Sequence, residues 1–337
     1  MIVARGVARA AVVAALVCLA MASAALAAVN IETVPVGNTG NTPDNTGYGA
    51  VDYDFNIGKY EVTAGQYTAF LNAVAVTDAY GLYNTSMWSS AYGCKIERTD
   101  TGSGYSYSVA SDWAKRPVNF VSFWDACRFA NWLHNGQPTD DQGPGTTESG
   151  AYTLDGYNGM AGQDIQRNTD WQWAVTSEDE WYKAAYHKND GDTGNYFDYP
   201  TASDSVPSND LTTPDSGNNA NFYDNGYTID SPYYRTEAGE FELSESPYNT
   251  FDQGGNVWEC NEAAAYEGDG GSYRGIRGGS FYYTDDYLLA SFRSYYDPTG
   301  GDDLVGFRVV AVPEPATMSL LALAGLGMLA RRRSGRG

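Results

Sequence analysis

RGGSFYYTDDYLLASFR, residues 277–293, sets a glycine pair and a serine beside closely spaced aromatic rings, and it holds neither cysteine nor histidine. Gly278 and Gly279 predict a tight turn, because glycine adopts positive φ without a steric cost. Ser280 follows directly, where a turn hydroxyl either serves chemistry or hydrogen-bonds the backbone. Which of the two it does depends on what the rest of the chain brings to this turn.

The totals narrow the possibilities. The chain has 337 residues, of which 42% are hydrophobic, enough to bury a real core. A formal charge of −22 repels phosphate backbones and anionic lipid, so nucleic acid is excluded as a partner class. With 27 Tyr and 38 Gly, plus many Asn and Asp, the composition predicts a loop-rich surface. His134 and His187, the two histidines, sit in separate predicted helices, so no histidine-rich metal site is expected. No HExxH, GxSxG or P-loop pattern occurs.

Both ends carry processing signals. Residues 1–27 combine Arg5 and Arg9, an apolar run from Ala10 to Leu26 and the small-x-small site Ala25-Leu26-Ala27, which reads as a secretory signal. At the other end, in 312–337, Ala316 to Ala330 carries no charge and Arg331–Arg333 follow it, an apolar segment with a positive-inside stop that predicts a transient membrane anchor. Removing both ends leaves the body still more acidic, since Arg5, Arg9, Arg331–Arg333 and Arg336 go with them and Glu314 is the acid lost. Of four cysteines Cys18 lies in the signal, so Cys94, Cys127 and Cys260 remain. Export permits one disulfide, for which Cys94 with Cys260 is the favoured pair. Cys127 is expected free, on the buried side of a helix.

Along the body, residues 28–50 read as a leading strand and loop, and 51–311 as one domain without internal repeats. FNIGKYEVTAGQYTAFLNAVA predicts a strand running into a helix, with Thr63 and Gln66 as a capping box and Tyr67, Phe70, Leu71 and Val74 on the core face. GYSYSVA alternates as a strand. A second helix is capped by Ser122 with Asp125 in its first turn and stopped at Gly136; Phe123, Ala126, Cys127, Ala130 and Leu133 form its apolar stripe. His134 is expected to be structural at its C-terminal end. GAYTLDGYNG predicts a hairpin. Ser177 and Glu180 box a third helix that buries Trp181, Ala184 and Ala185 and leaves His187 exposed beyond it. Residues 189–250 predict irregular structure packed on the core through Phe222, Tyr223, Tyr227, Tyr233 and Tyr234, with acids as candidate cation ligands. In SFRSYYDPTGGDDLVGFRVV, Arg293 and Arg308 are expected to form a salt-bridge network with Asp297, Asp302 and Asp303; the alternative makes Asp302 and Asp303 part of a surface cleft.

Six blocks in order, GKYEVTAGQYTAFLNA, RPVNFVSFWDACRFANWL, SEDEWYKAA, GGNVWEC, IRGGSF and GFRVV, together resemble the formylglycine-generating enzyme, or sulfatase-modifying factor, family over residues 51–311. The resemblance implies a single compact α+β domain, C-type-lectin-related, with little regular secondary structure and commonly with bound calcium. Active members oxidise a substrate cysteine to formylglycine with O₂ and a Cu(I) held by two thiolates just after the GGS motif. Here those positions are Tyr283 and Leu288, a hard phenol and a side chain with no lone pair, so no copper is expected. Ser280 matches the family's active-site serine but lacks a redox partner. An iron-dependent branch of the family takes its histidines from a helical domain with an HxxxEH motif, which this sequence lacks. The calcium loop maps to the Asp252 side chain, the Gly255 and Val257 carbonyls and the Glu259 carboxylate, an all-oxygen set suited to a hard cation. A second calcium set maps to Asn221, the Phe222 carbonyl, Asp230 and the Pro232 carbonyl.

The tail, with Pro313-Glu314-Pro315 before its apolar run and arginines, resembles the PEP-CTERM sorting signal. That resemblance implies recognition by an exosortase at the inner membrane, cleavage near the motif and release to the envelope or extracellular matrix, where exopolysaccharide or envelope proteins are candidate partners. The resulting expectation is an exported, non-catalytic, calcium-stabilised binding or structural module. The alternative is an oxidoreductase of the formylglycine-generating type, or another reaction in the ancestral cleft.

Overall fold

Three helices begin at reciprocal caps written into the sequence. In helix α1, Ala64–Val74, Thr63 Oγ1 accepts from the Gln66 N–H at 3.3 Å while Gln66 Oε1 accepts from the Thr63 N–H at 2.9 Å. Helix α3, Glu178–Tyr186, starts the same way at Ser177 and Glu180. Helix α2, Phe123–His134, closes a third box between Ser122 and Asp125, and Gly136 ends it at φ 78°. Burial pushes the Asp125 carboxyl up to about 6.

The structure is a computed structural model that describes residues 28–313 except 213 and 268–270. The secretory signal, 1–27, and the tail from 314 onward lie outside the described residues. Among the described residues no helix is long and apolar enough to cross a membrane.

Strands β1, Thr33–Val36, and β2, Phe55–Gly58, with β5, Trp173–Val175, and β10, Val309–Ala311, form one sheet in the order β1-β2-β10-β5. A second sheet runs β8-β7-β6-β9, from β6, Trp258–Glu267, β7, Gly271–Arg277, β8, Ser294–Tyr296, and β9, Val305–Phe307. Strands β3, Ile96–Asp100, and β4, Tyr105–Val109, pair as a separate ribbon, with β4 in the predicted GYSYSVA. The chain changes sheets at one residue: β9 lies parallel to β6, β10 lies antiparallel to β2 and β5, and Arg308 stands between them.

That crossing is secured by a buried ion pair. Arg308 donates to both Glu259 oxygens, at 2.9 and 2.7 Å, and to the Gly58 and Phe251 carbonyls. Tyr67, Phe70, Phe129, Trp132 and Phe307 fill the space between α1, α2 and β9, with adjacent ring centroids 5.2–6.5 Å apart. Between His187 and Val257 the described residues form isolated bridges but no helix or strand, as expected for 189–250.

The structure corrects five expectations. Helix α2 buries every residue from Phe123 to Leu133 and not just one stripe, because its polar side chains find internal partners: Arg128 pairs with Glu148 at 2.7 Å and Asn131 binds the Thr147 and Tyr152 carbonyls. Those Asn131 bonds, together with one from the Tyr152 N–H, hold 150–159 as a loop against the helix, so the predicted hairpin does not form. His187 is fully buried, with Nδ1 against the Tyr248 hydroxyl at 2.8 Å. Arg293 pairs with Glu178, and Arg308 with Glu259, so neither joins Asp297, Asp302 or Asp303.

The fifth correction is the Cys94–Cys260 disulfide: Cys94, Cys127 and Cys260 are all free and buried. All three belong to one buried core, in which Cys94 lies against the Asn119 carbonyl and Cys260 on β6 lies near Cys127 of α2. Burial pushes the Cys260 thiol up to about 12, and Cys94 and Cys127 upward as well. A thiol reagent should therefore leave the native protein unlabelled and modify all three on denaturation; prompt native labelling, or fewer than three thiols after unfolding, would contradict this arrangement.

Burial also lowers the pKa of His187 below its usual range. The unfolded chain then binds the proton more readily, so the contribution of His187 is complete above the unfolded value and is lost as pH falls through it. Denaturant midpoints should drop on the acid side of about pH 6.5, the unperturbed histidine value, and His187→Gln should flatten that part of the profile.

Candidate functional site

The turn at 278–280 is fixed by its glycines. Gly278 and Gly279 have φ 92° and 74°, and a Cβ on Gly278 would lie 2.4 Å from the Gln253 carbonyl oxygen. Ser280 is fully buried, and its Oγ accepts from the Tyr282 N–H at 3.4 Å, a turn bond of the kind expected for a structural serine. Beyond it the backbone sends the next side chains in different directions. Leu288 is fully buried in a cluster with Tyr199, Ala220 and Phe222. Tyr283 is part-buried and packs 4.5 Å from Tyr287 and 5.6 Å from Trp258. Cys260 sits in the core with Cys127.

Around Tyr283 the rings form a continuous belt. Tyr223, Tyr227 and Tyr282 follow one another at 5.3 and 6.4 Å, Tyr282 meets Tyr283 at 6.0 Å, and Tyr287 continues to Phe292 at 4.6 Å. Tyr282 is 53% exposed, and Tyr223 and Tyr295 are each 38% exposed, so part of the belt faces solvent. Next to it, Trp258, Tyr283, Tyr287, Tyr295, Tyr296 and Asp302 line a cavity of about 160 Å³. The Tyr296 hydroxyl donates to Asp302 Oδ2 at 3.0 Å and the Leu304 N–H donates to Oδ1 at 3.1 Å. Asp302 thus faces a cavity instead of a guanidinium, which agrees with the cleft alternative.

The first predicted calcium set lies behind the turn. Asp252, at φ 61°, accepts the Gly239 N–H at 2.6 Å. Glu259 is held by Arg308 and by the Trp181 indole N–H at 2.7 Å. Beside them Glu61 is buried with neither oxygen accepting a hydrogen bond, and its nearest Arg308 nitrogen is 3.9 Å away. Three carboxylates therefore surround one guanidinium. Burial first, and then the neighbouring carboxylates, push Asp252 up to about 6 and Glu61 well above its usual range. The donor chemistry fits a hard cation through this excess of anionic oxygen, although among the described residues no three acidic, histidine or cysteine side chains converge as a ready cage.

In the second set Asn221 is buried with an unpartnered Oδ1, while its Nδ2 donates to the Tyr234 carbonyl and to Asn256 Oδ1. The Phe222 carbonyl already accepts from Asn209 and Thr228. Asp230 and Pro232 are exposed, so the structure brings Asn221 and Phe222 beside the Gly255 loop and leaves the other two at the surface.

Residues 34–312 match the family described as "Sulfatase-modifying factor enzyme 1-like domain". The chain belongs to this family. Residues 311–334 match the PEP-CTERM protein-sorting motif, which marks the protein for exosortase-dependent sorting, export and a surface or extracellular location. No curated protein matches the sequence. Among solved structures, CarF is similar at TM-score 0.50 and 18% identity over 85% of this chain and 99% of its own. Variable protein 1 of Treponema denticola gives TM-score 0.47 and 16% identity, covering 86% of this chain and 97% of that one. PvdO from Pseudomonas aeruginosa gives 0.41 and 17%, covering 83% and 92%. The fold is the mixed helix-and-sheet, C-type-lectin-like fold with little regular secondary structure.

Within this sulfatase-modifying-factor-like domain, two features escaped the sequence. Glu61 reads as part of a strand-to-helix connection, and only the fold brings it to Asp252 and Glu259. The grouping of the rings at 258, 283, 287, 295 and 296 around one cavity was not read from the sequence; its one available signal was the density of tyrosine just after the GGS turn.

Proposed function

We propose that this chain is an exported, non-catalytic binding module of the envelope or extracellular matrix, stabilised by calcium, whose ligand is a saccharide laid against the aromatic belt. One observation carries the reading: where the family's two thiolates stand, this chain has a ring-stacked tyrosine and a leucine buried in a separate cluster. Neither supplies a soft donor. The exposed faces of Tyr223 and Tyr282 suit stacking on sugar rings, and the sorting motif delivers the domain to the surface where such polymers lie. Anaerobic Cu(I) titration followed by a peptide-cysteine oxidation assay should give neither stoichiometric copper nor aldehyde. A glycan array should show binding that weakens about tenfold in Tyr282→Ala. Aldehyde product would restore the oxidoreductase reading, and uniform absence of glycan binding would remove the saccharide.

Calcium would be held by Asp252, the Gly255 and Val257 carbonyls and Glu259, with Glu61 as the additional acidic neighbour; when bound it supplies charge neutralisation and ties the loop to the sheet. Chelation should lower stability by about 3 kcal/mol if the ion is held at a hundredfold excess over its dissociation constant. Metal analysis should find the ion in untreated protein. Glu61→Gln should weaken retention of the metal and also raise the stability of the chelated protein, because it removes an uncompensated buried carboxylate. No change on chelation, with no metal recovered, would eliminate the ion.

A further inference from the structure

We propose that the cavity at the end of the aromatic belt binds the protonated amino group of an amino sugar, so that the module prefers polysaccharide carrying free amines. This rests on the saccharide reading above and sharpens it. Trp258, Tyr283, Tyr287, Tyr295 and Tyr296 wall the cavity, and Asp302 supplies its carboxylate. Aromatic faces attract a cation through their quadrupole, and an adjacent carboxylate gives that cation a directed, charge-assisted partner.

The carboxylate is free for such a partner. Among the described residues neither Asp302 nor Asp303 makes an ion pair; Asp302 accepts from the Tyr296 hydroxyl and the Leu304 N–H and shares a hydrogen bond with Asp303, which still leaves lone pairs for a donor. Asp303 is pushed up to about 7 by burial and then by its hydrogen bond to Asp302 and repulsion from it. Arg293, whose guanidinium lies 4.3 Å from the Tyr295 centroid, is tied to Glu178, which it shares with Arg277, and makes no ion pair with Asp302.

Size and charge agree with this occupant. About 160 Å³ corresponds to roughly five waters of liquid volume, room for an ammonium and the ring edge that bears it. A net charge of −22 favours approach of a cationic polymer over an anionic one. The belt runs unbroken from exposed Tyr282 through Tyr283 to Tyr287, so a chain stacked outside can place one substituent inside. An N-acetylated ring would bring a neutral amide and leave Asp302 without a cation.

The test is calorimetric titration of the mature protein with a glucosamine oligomer and, separately, with its fully N-acetylated counterpart. The free-amine oligomer should bind at least about tenfold more tightly, and Asp302→Asn should remove most of that difference. Tyr295→Ala, at a part-exposed ring, provides a second variant that keeps the fold and should weaken the free-amine oligomer more than the acetylated one; thermal melts check both variants. Equal binding of the two oligomers, unchanged in Asp302→Asn, overturns the amine inference while the saccharide reading stands. If neither oligomer binds, the inference falls, and the glycan array decides separately whether the belt takes another sugar. Binding of a lysine-rich peptide in place of both oligomers, with the same Asp302 dependence, overturns the amino-sugar assignment in favour of a protein ligand.

Discussion

Arg308→Ala is expected to cost about 3–5 kcal/mol, enough to leave much of the population unfolded. The guanidinium, itself fully buried, satisfies both oxygens of the buried Glu259 and the Gly58 and Phe251 carbonyls. Removing it leaves Glu259 with the Trp181 N–H as its one remaining side-chain partner, beside Glu61, which already lacks a hydrogen bond. Arg308→Lys should recover little, because an ammonium cannot reproduce the bidentate contact. Arg308→Met with Glu259→Gln should be markedly more stable than Arg308→Ala alone, since the charge goes together with its partner. Urea denaturation of the three variants checks this. Equal stability of Arg308→Ala and wild type would show that the crossing between sheets is not held by this pair.

Gly255→Ala should be the most damaging single-methyl change, at about 3 kcal/mol or more. The residue sits at φ 83°, and an added Cβ would lie 2.0 Å from the Asn221 carbonyl oxygen, a backbone atom that cannot swing aside. That carbonyl accepts the Asn256 N–H, so relief of the clash would separate the 221 segment from the 255 loop. Gly40→Ala is the control: φ is 78° there too, but nothing lies within 4 Å, so about 1–2 kcal/mol of conformational strain is the whole cost. The difference between the two melts isolates the close approach from the backbone angle.

What was legible in the sequence was local. Thr63 with Gln66 and Ser177 with Glu180 declare helix starts within four residues, and the three longer helices among the described residues begin where such pairs place them. The Gly278-Gly279 turn is local in the same way. What failed depended on partners far along the chain: Arg308 finds Glu259 and not the nearby aspartates, and Asn131 captures a loop that would otherwise read as a hairpin. His187 has polar neighbours in sequence, and only the fold carries Tyr248 to it. Ordered sequence blocks were the exception, because together they specified the non-local arrangement that no single block could.

Strand β10, the last of the described strands, lies between β2 and β5, not at an edge. The first sheet therefore stays split until nearly the whole body has been delivered across the inner membrane, and the domain cannot complete itself as it emerges. Only residues 312–315 separate β10 from the uncharged run that starts at Ala316, a reach of about 14 Å when fully stretched. The sorting motif, residues 311–334, thus begins on the last residue of β10, so whatever recognises it must approach within a few residues of the folded sheet.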